Sequence, residues 1–109
     1  MEKAFVDHLV DLMQAVGPVS PRRMFGGHGI FLDGLMFALV ADGTLFLKAD
    51  AESVPAFTRQ GLEAFTYRRR GKTYRMSYFQ APEVCLEDAD EMALWGNKAY
   101  AAALRAAAA

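Results

Sequence analysis

The run Arg68-Arg69-Arg70-Gly71-Lys72-Thr73-Tyr74-Arg75 holds five basic residues in eight and no acid. Tyr67, Tyr74, Tyr78 and Phe79 are interleaved with it. Cations beside flat rings are the chemistry that grips phosphates and stacks bases. Arg68, Arg69, Arg70, Lys72 and Arg75 are therefore the candidate nucleic-acid-binding residues. A second reading has equal physical footing. Charges on the solvent side of an edge hairpin discourage strand addition by another chain. The same arginines can also pair with Glu83, Glu87, Asp88, Asp90 and Glu91 downstream.

Other reactive types are sparse. Gly26-Gly27-His28-Gly29 offers consecutive backbone N–H groups, which suit an anion-binding nest. Phosphate loops, however, feed a helix and carry Gly-Lys-Ser/Thr, whereas this cluster feeds a strand and has no lysine. It reads as a glycine-enabled bend. His8 and His28 are the only histidines. The nucleophiles Ser20, Ser53, Ser77 and Cys85 lie in no nucleophile-elbow or cysteine-protease context. Glu83, Glu87 and Asp88 near Cys85 raise a thiol pKa rather than lower it. Two histidines and one cysteine fall at no metal-ligand spacing. No catalytic residue, metal ligand or cofactor is expected.

These side chains need a scaffold, and composition bounds it. At 109 residues and 53% hydrophobic, the chain is expected to form one packed domain, 1–109. Its net charge of −1 argues against non-specific nucleic-acid binding by bulk charge. A single cysteine fits a reducing compartment. The longest stretch free of charged side chains, Leu12–Pro21, is ten residues, short of a bilayer span. A soluble, cytoplasmic protein is expected.

The elements follow from patterning. Residues 2–16 predict an amphipathic helix on Phe5, Leu9, Leu12, Met13 and Val16, stopped by an αL Gly17 and Pro18. Val19-Ser20-Pro21 reads as a linker. Arg23-Met24-Phe25 begins a first strand that bends at Gly26-Gly27. Asp33-Gly34 and Asp42-Gly43 each separate apolar runs, the strongest local hairpin signal, because a type I′ turn needs two positive φ angles. Leu35–Val40, apolar throughout, is predicted central. Asp50 or Ser53 caps a short helix that ends near Gln60, with Gly61 as its stop. Phe65–Arg69 and Thr73–Phe79 alternate with period two and predict a second hairpin. Asp88, with Glu91 three residues on, opens a last helix whose stripe is Met92, Trp95, Ala99 and Ala102 or Ala103. The order is α-β-β-β-α-β-β-α. It predicts an α+β fold: one antiparallel sheet of about five strands with helices mainly on one face. Gly26, Gly27, Gly29, Gly34 and Gly43 are expected to set the turns. Phe25, Phe31, Phe37, Leu39, Leu45 and Trp95 are expected to fill the core.

The run Arg23-Met24-Phe25-Gly26-Gly27-His28-Gly29-Ile30-Phe31 resembles the N-terminal domain of the TfoX/Sxy family. So do Met36-Phe37-Ala38-Leu39 and Leu45-Phe46-Leu47-Lys48-Ala49-Asp50. Gly61, Phe65, Tyr67, Met76-Ser77-Tyr78 and Ala81-Pro82-Glu83 continue the resemblance, which covers roughly residues 20–100. It implies a small α+β domain and a link to natural competence. In that system the namesake regulators act as transcriptional co-activators alongside the cyclic-AMP receptor protein. It carries over no catalytic residue. The namesakes have a second, C-terminal domain, and this chain ends in polyalanine, so it resembles the stand-alone form.

Three functions are then in view. The first is a non-enzymatic regulatory domain acting by contact with a protein partner of unknown identity, a homodimer among the options. The second is direct nucleic-acid binding through the basic run. The third is a small-ligand or enzymatic site around Gly26–Gly29 and Arg22-Arg23, revived by a deep polar pocket beside His28 and ended by a filled surface there.

Overall fold

The computed structural model describes residues 2–24 and 26–109. Helix α1 (Glu2–Leu12) tightens into a 3-10 turn, Met13–Ala15. Strands β1 (Ser20–Met24), β2 (Gly27–Leu32), β3 (Leu35–Ala41) and β4 (Thr44–Lys48) follow. Helix α2 (Val54–Thr58) leads to β5 (Ala64–Arg69) and β6 (Lys72–Gln80). A 3-10 turn, Glu83–Leu86, precedes the long helix α3 (Ala89–Ala108). The strands form one antiparallel sheet in the order β1-β2-β3-β4-β6-β5. Among the described residues no helix is long and apolar enough to cross a membrane.

The α+β architecture and element order agree with the sequence. The sheet has six strands rather than about five. The extra strand is β1, which contains residues read as a linker. Pro21 is tolerated there because β1 is an edge strand. The chain reverses after it, since Met24 pairs with Gly27 and Gly26 sits at φ +75°. A turn therefore stands where a bend within one strand was expected. Phe25, expected in the core, lies outside the described residues.

Three hairpin turns have two consecutive positive φ angles: Asp33-Gly34, Asp42-Gly43 and Arg70-Gly71. Gly27 and Gly29 lie within β2 instead of in turns, and close approach explains them. A Cβ on Gly27 would stand 2.1 Å from the Val40 carbonyl oxygen. One on Gly29 would stand 2.6 Å from the sulfurs of both Met24 and Met36. Gly17, at φ +156°, is not the expected αL cap.

Helices α1 and α3 cover one face of the sheet. Val6, Leu9 and Met13 meet Ile30, Phe37, Val40 and Leu47 there, with Met92, Trp95, Ala99 and Ala103 of α3. Gly96 lets α3 approach closely, because a Cβ there would lie 2.7 Å from Val16 Cγ2. Phe57 packs edge-on to Trp95 with ring centroids 5.2 Å apart. The Asp88 side chain caps α3, accepting from the N–H groups of Asp90 at 2.8 Å and Glu91 at 3.2 Å. Ser53 occupies the N-cap position of α2, but its Oγ accepts from the Asp50 N–H while its own N–H donates to Asp50 Oδ1, and it does not cap the helix.

The other face of the sheet carries no helix. Leu39, Phe46 and Tyr78 form its own buried cluster, with Met36, Ala41, Phe65 and Met76 against it. A register irregularity divides β3 between the two faces. Ile30 pairs with Ala38 and Phe31 with Met36, which leaves Phe37 as an extra residue. Phe37 and Ala38 thus both belong to the helix-side core, while Met36 and Leu39 serve the open side. Phe37, Leu39, Leu45 and Trp95 are buried as expected. Phe31 is only half-buried, with the Arg22 guanidinium 4.7 Å above its ring.

Candidate binding arm and cleft

The five basic candidates lie on the β5–β6 hairpin, which projects from the sheet. β4 pairs with Tyr78–Gln80 of β6, and the last bond between them runs from Ala49 N–H to Ser77 O at 2.9 Å. Lys72–Met76 overhang beyond it. The pairing of β5 with β6 also shifts between Ala64 and Thr66, where the two-stranded arm bends.

The pleat divides the arm's cations. Tyr67 pairs with Tyr74, and Arg69 with Lys72, two residues along on the same side. Arg68 pairs with Thr73, and Thr66 with Arg75, on the opposite side. Arg70 occupies the turn at φ +53°. The basic run is thus two patches and a tip. All five residues are exposed, and among the described residues none forms an ion pair. The expected pairing with the acidic block is therefore not made. Arg68 makes a weak 3.5 Å hydrogen bond to Gly71 O within its own turn. The Arg75 guanidinium sits 5.6 Å from the Phe79 ring centre.

The Tyr67 side of the arm continues the helix-free face as a ladder of rings. Phe46 meets Phe65 edge-on at 5.0 Å, Phe65 stacks on Tyr67 at 6.2 Å, and Tyr67 on Tyr74 at 5.4 Å. Tyr67 and Tyr74 remain 40% and 43% exposed. Beneath the arm lies a cleft of about 560 Å³. Met24, Met36 and Leu39 line it from the sheet, and Phe65, Tyr67, Arg69 and Met76 from the arm. In a flat sheet β1 and β5 would stand roughly 24 Å apart, five strand spacings of about 4.8 Å. One cleft touches both, so the arm arches over the open face. Sequence reasoning found the arm but missed the cleft. Its signal was Gly29, whose missing side chain lets Met24 and Met36 close in.

The remaining candidates do not assemble. His28 is half-buried on the helix side, with Nδ1 2.5 Å from Glu2 Oε2. It faces α1 and not a polar pocket. His8 Nε2 donates to the Leu86 carbonyl oxygen at 2.8 Å. Cys85 is buried. Burial first, then the charges of Glu91 and Asp88, push its thiol up to about 12. Burial likewise raises Tyr78 to about 12, and its hydroxyl donates to Met36 O at 3.3 Å. Ser53 is tied to Asp50, and Ser77 Oγ accepts from Lys48 at 2.6 Å.

Comparison with known proteins gives a consistent result. The family model described as TfoX N-terminal domain matches residues 11–103. The DNA transformation protein TfoX1 of Aliivibrio fischeri is 30% identical over 78 residues, which are 72% of this chain and 37% of that protein. Protein Sxy of Escherichia coli K12 is 25% identical over 88 residues, 81% of this chain and 38% of Sxy. The chain thus spans less than two-fifths of either relative.

Proposed function

The chain belongs to the TfoX N-terminal domain family, and from that premise we propose that it is a non-enzymatic regulatory domain in the control of DNA transformation. It acts by contact with a partner protein. The observation that carries this reading is the β5–β6 arm. Tyr67 and Tyr74 stack at its surface beside the Arg69–Lys72 pair, outside the rest of the sheet. Exposed tyrosines beside arginine are the types that dominate protein interfaces. The non-enzymatic reading is supported by the scatter of the nucleophiles and by the buried, high-pKa Cys85 thiol. Edge-to-edge pairing of two copies is disfavoured, because both edge strands carry arginines that would face each other. A homodimer would then use the exposed rings of the arm rather than strand addition at its edge.

The test is complementation in the native host. Deletion is expected to lower transformation frequency or transcription of the DNA-uptake genes. Wild type restores them, and Tyr74→Ala/Arg69→Glu does not, although it folds normally by circular dichroism. A deletion without effect on either readout would reject the role. Gel filtration with light scattering decides whether the partner is a second copy.

The same ring ladder with adjacent cations favours one second reading, single-stranded nucleic acid stacked on Tyr67 and Tyr74. Salt-sensitive binding of an oligonucleotide, lost in Arg69→Glu/Arg70→Glu, would install that reading in place of protein contact. Wild type without such binding removes it.

A further inference from the structure

Charge and polarity are segregated in this molecule. All thirteen Asp and Glu residues lie outside the six strands, in helices, turns and loops. The strands carry Lys and Arg alone among charged types. The cleft under the arm repeats this division at smaller scale. Met24, Met36 and Leu39 on its floor, and Met76 of the arm, offer no hydrogen-bonding side chain. The polar side chains on the cleft's face of the arm, Tyr67 and Arg69, both come from β5. Arg68 is turned to Gly71 O, and Arg69 has no partner among the described residues. A volume of about 560 Å³ falls within the range of small-molecule sites.

That lining selects a ligand class. A nucleobase or sugar would bring donors and acceptors that the floor cannot satisfy, and leaving them unmet is costly. A hydrocarbon chain needs no such partners. Three methionines suit it, because unbranched thioethers adapt to an irregular apolar shape. A negative head group at the β5 side would meet a guanidinium built for carboxylate. We propose that the cleft binds a small amphiphilic anion: a free alkyl carboxylate, its chain along Met24, Met36, Leu39 and Met76 and its carboxylate at Arg69.

The arm roofs this cleft and also carries the surface assigned above to partner contact. Ligand and partner are then linked, each changing the other's affinity by the same factor. That linkage rests on the proposed function; the binding itself does not.

The experiment is calorimetric titration of the purified chain with decanoate and dodecanoate below their micelle concentrations. Saturable one-to-one binding is expected, weakened about tenfold in Arg69→Gln, the usual cost of removing one charge-assisted hydrogen bond. Met76→Trp, which fills the cleft, is expected to abolish it while circular dichroism and the melting curve stay cooperative. Met36→Trp serves where Met76→Trp does not fold. Three results would overturn the proposal: no saturable binding to wild type, binding unchanged in Arg69→Gln and the filled variant, or an uncharged alkyl glycoside binding as tightly. Binding to anionic phospholipid vesicles without binding to the free carboxylates would overturn it as well. A deletion without effect on transformation, with carboxylate binding by the purified chain intact, would reject the proposed function and leave this site standing.

Discussion

Arg105, near the end of α3, holds Asp50 in a two-pronged grip, with Nε 2.6 Å from Oδ2 and Nη2 3.1 Å from Oδ1. Its Nη1 also reaches Glu52 Oε2 at 3.2 Å. The grip ties the last helix to the loop before α2. The hydrogen bond from Arg105 is the main cause that holds the Asp50 carboxyl at about 2, below its ordinary value of 3.8. A depressed carboxylate contributes stability that is complete above its unfolded pKa and is lost as pH falls through the folded one. The window here is roughly pH 4 down to 2. Both side chains are partly exposed, 39% and 25%, so solvent screening keeps the effect small. Arg105→Ala should lower stability slightly at pH 7, read by urea unfolding. It should also flatten the part of the acid dependence that Asp50 supplies. An unchanged acid limb in the variant would assign that limb to other groups.

Gly27 and Gly29 are two residues apart on β2 and should respond differently to alanine. At Gly27 the new Cβ meets the Val40 carbonyl oxygen at 2.1 Å, which is backbone of the neighbouring strand and cannot step aside. At Gly29 it meets the ends of Met24 and Met36, which can. Gly27→Ala is expected to cost about 2–3 kcal/mol and Gly29→Ala about 1 kcal/mol. Urea unfolding of both variants measures the order. Equal costs would mean that β2 shifts as a whole and that the backbone clash is not decisive.

What could be read from the sequence divides along the range of the forces. Asp33-Gly34, Asp42-Gly43 and the Asp88 cap are local chemistry, and each appears where its residues placed it. The start of β1 was obscured by Pro21, which strands seldom hold, and the residues read as the start of a single bent strand, Arg23-Met24, belong to a separate one. That strand exists by pairing with β2, a relation that no window of the chain displays. The extra residue Phe37 was hidden in an unbroken apolar run, where period two gives no signal. The basic run was legible as a cluster of charge, but its division between two sides depends on a hairpin register. The cleft was least legible of all. Its methionines, Met24, Met36 and Met76, are far apart in sequence, and a bend in the arm brings them under one roof.

Cys85 should be inert in the folded protein. Its sulfur is buried, and its thiol is pushed up to about 12, burial being the largest cause. The thiolate is the reactive form, so almost none is present at neutral pH. A disulfide reagent such as dithionitrobenzoate is expected to label no thiol in the native chain and one in urea. Native labelling at the rate of free cysteine would show that the segment carrying Cys85 opens readily.

The contact of Glu2 with His28 joins the first turn of α1 to β2, between residues 26 positions apart. Their side chains are 27% and 15% exposed, so the hydrogen bond is better shielded than a surface pair. α1 otherwise holds to the sheet by apolar packing, chiefly at Val6 and Leu9 with Phe5 half-buried beside them. Glu2→Gln and His28→Asn should each lower stability by about 1 kcal/mol. Because the two groups act on each other directly, the double variant should lose less than the sum. The expected coupling is about 0.5–1.5 kcal/mol in a double-mutant cycle read by urea unfolding. Strict additivity would mean that the contact contributes nothing measurable and that apolar packing alone seats α1.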